Sequence, residues 1–255
     1  MYAEERHQAI AQLVAQQGRA TVSEVAASYG VTTETVRRDL AQLERAGLLR
    51  RVHGGAVSTA VRTVVEPGLS DRDSASTHQK DRIAVAALAL LPHNGGSLLL
   101  DAGTTTARLA QLLPADRRLS IVTHAVPIAA RLAGAPGITL HVVGGQVRGT
   151  TQAAVGTDAV RAFSDLRADV AFVGTNALTA THGLSTPNAE EAAVKRALVA
   201  AGRTVVVLAD SSKLGREALV RFATIDQVDV LITDDGISEG DVHALEAAGV
   251  EVVTA

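Results

Sequence analysis

The sequence predicts two domains of different class: a small three-helix module closed by a β hairpin, then a larger α/β domain with a mostly parallel sheet. Two patterns carry this. Residues 1–58 place apolar side chains at helical spacing between glycines, whereas residues 78–255 alternate short apolar runs with helical stretches. A chain of 255 residues is long enough for both.

In the first module, Ile10, Leu13 and Val14 recur at helical spacing from Glu5 to Gln17, and Gly18 stands where a C-terminal cap belongs. A second helix opens at Thr21, which forms the capping-box pattern with Glu24, and runs to Tyr29 before Gly30. The third starts at the N-cap Thr32 and carries Val36, Leu40 and Leu43 on one face, with Arg37, Arg38 and Arg45 off it, ending at Gly47. LLRRVHGGAV then alternates Leu49 and Val52 with polar residues and turns at Gly54–Gly55, as a hairpin does. Residues 59–77, with Pro67–Gly68 and many small polar side chains, read as a linker carrying one strand at most.

The second domain opens with a helix from His78 to Leu91 and a strand from Ser97 to Leu100. A helix follows Gly103, then a strand at Ser120–Thr123, a helix at Val126–Ala133 and a strand at Thr139–Val143. Further strands are expected at Asp169–Val173, Thr204–Leu208, Val228–Thr233 and Val250–Val253, with helices at Asn188–Ala201 and Ser238–Ala248. There is no internal repeat and no low-complexity tract.

Composition narrows the chemistry. Aromatic residues make up 2% of the chain, too few for an aromatic cage or a base-stacking platform. The absence of cysteine excludes disulfides, thiolate metal sites and cysteine nucleophiles, and no cofactor is expected. The N-terminus MYAEERHQAI is acidic where a signal peptide is basic, and no apolar run approaches the roughly 18 residues of a membrane span. The expectation is a cytoplasmic protein with no membrane partner. Residues 1–55 hold seven arginines and no lysine against six carboxylates, so the net charge of −3 divides into +1 there and −4 beyond.

Two helices joined at a glycine turn, with small Ala26 where they cross, suit a helix-turn-helix whose second helix enters a major groove N-terminus first. Thr33, Glu34, Thr35, Arg37 and Arg38 then face the duplex, and Arg50, Arg51 and His53 of the hairpin lie along its backbone or minor groove. A protein-interaction module with a solvated basic face fits the same pattern. Arg6, Ile10 and Val14, with Thr32, Thr35, Val36, Arg37, Arg38, Asp39 and Leu40, resemble the signature of the DeoR family of bacterial regulators. That resemblance implies a winged helix-turn-helix bound to double-stranded operator DNA, with the helix from Thr32 to Ala46 as reader. Asp39 is expected to pair with an arginine or cap a neighbour rather than touch DNA.

In the larger domain LLLDAGTTTARLAQLL is an apolar strand ending at Asp101, a turn at Gly103, and three threonines opening a helix. Free backbone N–H groups at that helix start, with the hydroxyls of Thr104, Thr105 and Thr106, form an anion site that needs no cation. An ordinary threonine cap has the same local pattern, and the lysine of a P-loop is missing. Polar groups also close other strands: Thr123–His124, Gly144–Gly145, Gly174–Thr175 and Asp210 to Lys213. In open α/β sheets ligands sit at such ends. Glu191 and Lys195, four apart on a helix, read by themselves as a solvated ion pair.

DAGTTT, the Gly144–Gly145 pair, residues 169–174, EEAAVKRAL and LADSSKLG resemble the effector domain of the same family, which is similar in fold to ribose-5-phosphate isomerase and glucosamine-6-phosphate deaminase. The resemblance implies a phosphorylated sugar effector with its phosphate on Gly103 to Thr106, and Glu191, Lys195, Asp210 and Lys213 meeting hydroxyls or a second anionic group. GTNALTATHGLSTPNAEEAAVKRAL resembles regulators of fructose phosphotransferase operons, and His124 departs from the asparagine more usual in relatives. The implied function is a regulator, most simply a repressor, of a sugar-utilisation operon, acting as a homodimer or homotetramer. A sugar-phosphate isomerase or deaminase, and a DNA-binding adaptor with no ligand, are the alternatives.

Overall fold

The computed structural model describes residues 3–17, 19–46, 48–52, 54–58 and 68–255 and divides the chain into two compact units, Met1–Arg62 and Thr63–Ala255. The expected caps Gly18 and Gly47, the wing residue His53 and residues 59–67 of the expected linker lie outside the described residues.

The first unit runs α1 (Ala3–Gln17), β1 (Arg19–Thr21), α2 (Val22–Tyr29), α3 (Thr33–Arg45), β2 (Leu49–Val52) and β3 (Gly55–Ser58). Thr21 and Glu24 form the reciprocal capping box, and Gly30 ends α2 at φ +63°, the left-handed conformation that favours glycine. Thr32 caps α3 by accepting from the Thr35 N–H at 3.2 Å. Ile10, Val14, Val25, Val36, Leu40, Leu43 and Leu49 form one core. Three strands form the wing, because β1 adds to β3 in register Arg19↔Val57. A three-residue strand shows no period, so β1 was not expected. It also reassigns the glycines: Gly54 makes the turn at φ +81°, while Gly55 lies in β3, where a Cβ would sit 2.3 Å from the Ala20 carbonyl oxygen.

The second unit begins with α4 (Leu69–Ser74) and α5 (Thr77–Ala87), followed by β4 (Ser97–Leu100), α6 (Thr104–Leu112), β5 (Leu119–Thr123), α7 (Val126–Leu132) and β6 (Ile138–Val142). Next come β7 (Gln146–Arg148), β8 (Ala153–Val155), α8 (Thr157–Ser164), β9 (Ala168–Gly174), β10 (Ala177–Thr179), β11 (Gly183–Thr186) and α9 (Ala189–Ala201). The chain closes with β12 (Gly202–Leu208), β13 (Val220–Ala223), β14 (Val230–Thr233), α10 (Glu239–Ala247) and β15 (Glu251–Thr254).

Seven strands form one sheet in the order β15-β14-β12-β9-β4-β5-β6, every neighbouring pair parallel. Leu98 and Leu100 of β4 join one buried cluster and Leu99 the other, on the two faces of the sheet. Burial on both sides is why these strands read as continuous apolar runs. The pair β7-β8 and the trio β10-β11-β13 stand apart as antiparallel sheets. Their strands have three or four residues, too short for an alternation to stand out. The expected linker is also revised. Its described part holds α4, which buries none of its side chains and therefore leaves no apolar stripe in the sequence.

Candidate functional site

The sheet splits at β4: the chain proceeds through β5 and β6 on one side, then returns to lay β9, β12, β14 and β15 on the other. A crevice opens outside the carboxyl ends of β4 and β9, the topological switch point. It is lined by Asp71, Arg72, Ala75 and Lys80, by Gly103 to Thr106, by Gly174 and Thr175, and by Leu208 to Asp210 with Lys213. The cleft has a volume of about 110 Å³. The first backbone bond of α6 runs from the Ala107 N–H to the Gly103 carbonyl at 3.0 Å, so the amides of Thr104, Thr105 and Thr106 precede the helical ladder. Gly103 has φ 168°, extended backbone open to any residue. A Cβ there would lie 3.2 Å from Thr106 Oγ1, a contact that this side chain relieves by a small shift.

Cations line this cleft: Lys213, as the family resemblance implied, and Lys80 in addition. Lys80 is 3% exposed, and its ammonium donates to the carbonyls of Arg72 and Ala75. Burial lowers its pKa to about 8; Asp210 opposes the shift, while Lys213, Arg108 and Arg72 add to it. Burial likewise pushes Lys213 down, against the pull of Asp210. Asp210 caps the turn Ser211–Lys213 by accepting from the Ser212 N–H at 3.2 Å, with Lys213 Nζ 3.8 Å away. Two desolvated ammonium groups beside an unladdered helix start give the cleft a demand for negative charge.

Behind the loop lies a sealed polar knot. Asp101 is fully buried; Oδ2 accepts from Lys195 Nζ and, at 2.8 Å, from the Gly174 N–H, while Oδ1 lies 3.1 Å from His124 Nε2. Burial by itself would raise the Asp101 pKa, but the Lys195 charge and the His124 contact hold it down to about 2. His124 Nδ1 donates to the Ala154 carbonyl at 2.8 Å, and the ring stands edge-on to Phe163. Lys195 also donates to the Gly174 carbonyl at 2.9 Å. Glu191 is bonded elsewhere, to Arg148 at 2.6 Å and to Thr151 Oγ1. Glu191 and Lys195 are 4% and 5% exposed, so the solvated i,i+4 pair is corrected to two buried groups with separate partners.

The cleft thus gathers Gly103, Thr104, Thr105, Thr106, Gly174, Asp210 and Lys213. Asp101, His124 and Lys195 stand behind it, and Glu191 outside its lining. Thr123 Oγ1 donates to the Leu100 carbonyl at 2.8 Å and accepts from the Ala125 N–H, which turns the chain into α7. Gly144 and Gly145 sit exposed between β6 and β7, away from the cleft lining. Sequence reasoning missed Lys80, Arg72 and Asp71. One signal for Lys80 existed: with Ile83, Ala84 and Ala87 it occupies i, i+3, i+4 and i+7, a charge on the apolar stripe of its helix.

In the first unit, Thr33, Glu34, Arg37 and Arg38 are exposed at the start of α3, with Glu34 3.6 Å from Arg37 and 3.5 Å from Arg38. Thr32 and Thr35 share a hydroxyl hydrogen bond of 2.9 Å within the cap. Arg50 and Arg51 lie on β2, and a groove between α3 and the wing is lined by Arg37, Leu40, Arg51 and Gly54. Asp39 faces inward and accepts from Arg6 Nε at 2.6 Å and Nη2 at 3.1 Å, with His7 Nε2 at 2.8 Å. This ties α3 to α1 and presents the arginine face outward.

A winged helix-turn-helix with arginines on its second helix, carried by a chain with an anion-seeking α/β cleft, defines a DNA-binding regulator with a sensor domain. The chain belongs to the DeoR family: residues 6–61 match the model of the DeoR-like helix-turn-helix domain and residues 75–235 that of the DeoR C terminal sensor domain. It is 34% identical over 248 residues to the glycerol-3-phosphate regulon repressor of Haemophilus influenzae, covering 97% of this chain and 95% of that one. It is 33% identical over 235 residues to the regulator FruR of Bacillus subtilis, covering 92% of each. Ribose 5-phosphate isomerase A of Methanocaldococcus jannaschii aligns at 16% identity over 55% of each chain with a TM-score of 0.40, too loose a likeness to carry an argument.

Proposed function

We propose that the chain is a repressor of a sugar-utilisation operon whose affinity for its operator is set by a phosphorylated sugar in the sensor cleft. The observation that carries this reading is Lys80 and Lys213 lining the same cleft as the open amides of α6. A phosphate there gains charge-assisted hydrogen bonds from both. Gly103 to Thr106 hold the phosphate, and Asp210 accepts a hydroxyl of the sugar. Asp101, His124 and Lys195 position the loop from behind instead of touching the ligand. Arg37 and Arg38 read base edges while Arg50 and Arg51 follow the phosphate backbone.

Support for a phosphorylated effector also comes from the name of the Haemophilus relative, a glycerol-3-phosphate regulon repressor, and a fructose phosphate is favoured by the name FruR and the GTNAL segment. We place the protein in the cytoplasm as a homodimer or homotetramer, since one small module gives too little operator specificity. Among the described residues no helix is long and apolar enough to cross a membrane. A thermal-shift screen of sugar phosphates tests the reading: a ligand at 100 times its Kd stabilises by about 2.7 kcal/mol. The same compound must change operator affinity. A screen in which no phosphorylated sugar does both overturns the proposal.

A further inference from the structure

The helix α4 occupies a peculiar position. It buries none of its side chains, yet Asp71, Arg72 and the following Ala75 form one wall of the cleft. It is therefore held by polar bonds instead of an apolar core. Lys80 donates to the Arg72 and Ala75 carbonyls, and Arg108 grips Asp73 through the carboxylate at 2.5 Å and the carbonyl at 3.0 Å. Arg108 also holds Asp81 on α5 at 2.7 Å. Between α4 and α5, Ser76 sits at φ +52°, a left-handed conformation that serine rarely adopts. In chain order α4 is the first described element after the DNA-binding unit.

We propose that α4 is a ligand-fastened strap and that Lys80 is its coupling residue: an anionic group in the cleft takes the third N–H of the Lys80 ammonium and locks α4 in place. The proposal rests on the reading of the cleft as a phosphate site. An ammonium has three donors, and two are committed to carbonyls at the end of α4. Lys80 also feels the positive charges of Lys213, Arg108 and Arg72, opposed by Asp210. Arg72 is carried by α4 and lines the cleft, so docking brings its positive charge to the anion, and the docked strap binds the anion better than the loosened strap does. By linkage, ligand must then favour docking. Because α4 is the first described element after the DNA-binding unit in chain order, operator affinity is the second readout of its locking.

Hydrogen–deuterium exchange on the full-length protein tests this with inorganic phosphate, against sodium chloride of equal ionic strength. In the wild type, phosphate should slow exchange across residues 69–77 by about fivefold or more, together with residues 104–107. Protection of 104–107 without any change at 69–77 overturns the strap while leaving the phosphate site standing. Protection of neither overturns the phosphate site and the strap with it. This comparison requires no variant to fold. In Lys80→Gln, exchange at 69–77 should be fast with and without phosphate, and operator affinity should lose its response to the effector. A Lys80→Gln protein that keeps wild-type phosphate protection at 69–77 refutes the assignment of Lys80.

Discussion

Asp101 and Lys195 meet in an ion pair sealed from solvent, which joins α9 to the end of β4 through the backbone of Gly174 at the end of β9. The pair therefore sets the spacing of the two strand ends that frame the cleft. Removing one partner of such a pair leaves an uncompensated buried charge, at a cost of about 3–5 kcal/mol. Lys195→Ala should lower the melting temperature sharply, and lose operator binding along with ligand binding because the fold itself is weakened. Normal stability in Lys195→Ala would return this lysine to a ligand role.

The same pair predicts acid sensitivity. Asp101 has a folded pKa of about 2, below the ordinary carboxylate value of 3.8. Its contribution is thus fully present above pH 3.8 and disappears as pH falls toward 2, with a magnitude of about 2 kcal/mol. Denaturant titrations between about pH 4 and 2 should show this slope in the wild type, and a shallower one in Asp101→Asn.

Lys80 predicts the opposite direction at high pH. Its folded pKa of about 8 means that the ammonium is lost as pH rises through that value, so phosphate affinity should fall between pH 7 and 9. Its unfolded pKa is 10.5, so the unliganded fold gains stability from this group as pH rises from about 8 toward 10.5, and unfolding at Lys80 cannot explain the loss. Calorimetric titration of the sugar phosphate at several pH values checks it. An affinity independent of pH there would place the anion away from Lys80.

How much could be read in advance follows from what lies contiguous in the chain. D-A-G-T-T-T is legible because strand end, glycine and hydroxyls are adjacent, and the capping box at Thr21 and Glu24 because it spans one turn. Lys80 comes from the preceding helix and reaches the cleft only once α5 packs on the sheet. Glu191 and Lys195 sit at a spacing that suits a surface pair, and only the depth of α9 separates them into two buried sites. The contrast between His124 and Thr123, both assigned to the ligand on strand-end position, has the same origin. Their polar atoms are taken by Ala154 and Leu100, partners that sequence distance conceals.

At the DNA-binding end, Arg37→Ala and Arg38→Ala should each cost about 1–3 kcal/mol at the cognate operator and relax sequence preference. Arg51→Ala should instead weaken all sequences alike and flatten the salt dependence. Titrations on operator and scrambled DNA at two salt concentrations separate the two behaviours. Uniform losses at both arginines of α3 would mean that this helix tracks phosphates and that bases are read elsewhere.

The order of two substitutions in the phosphate loop tests the loop itself. Gly103 is extended, so alanine meets no backbone strain there, and its Cβ would face Thr106 Oγ1 at 3.2 Å, which that side chain absorbs by a small shift. Valine adds branched methyl groups at the mouth of the open α6 amides, where phosphate oxygens belong. Thr105→Ala removes only one hydroxyl and leaves the amides in place. Gly103→Val should therefore abolish binding, while Thr105→Ala weakens it and Gly103→Ala falls between wild type and valine. A dephosphorylated sugar should bind far worse than its phosphate, because charge-assisted bonds are about twice as strong as neutral ones and several are lost together. Competition titrations on correctly folded variants decide the order. Full binding by Gly103→Val, or equal affinity for sugar and sugar phosphate, would leave the threonines as plain helix caps.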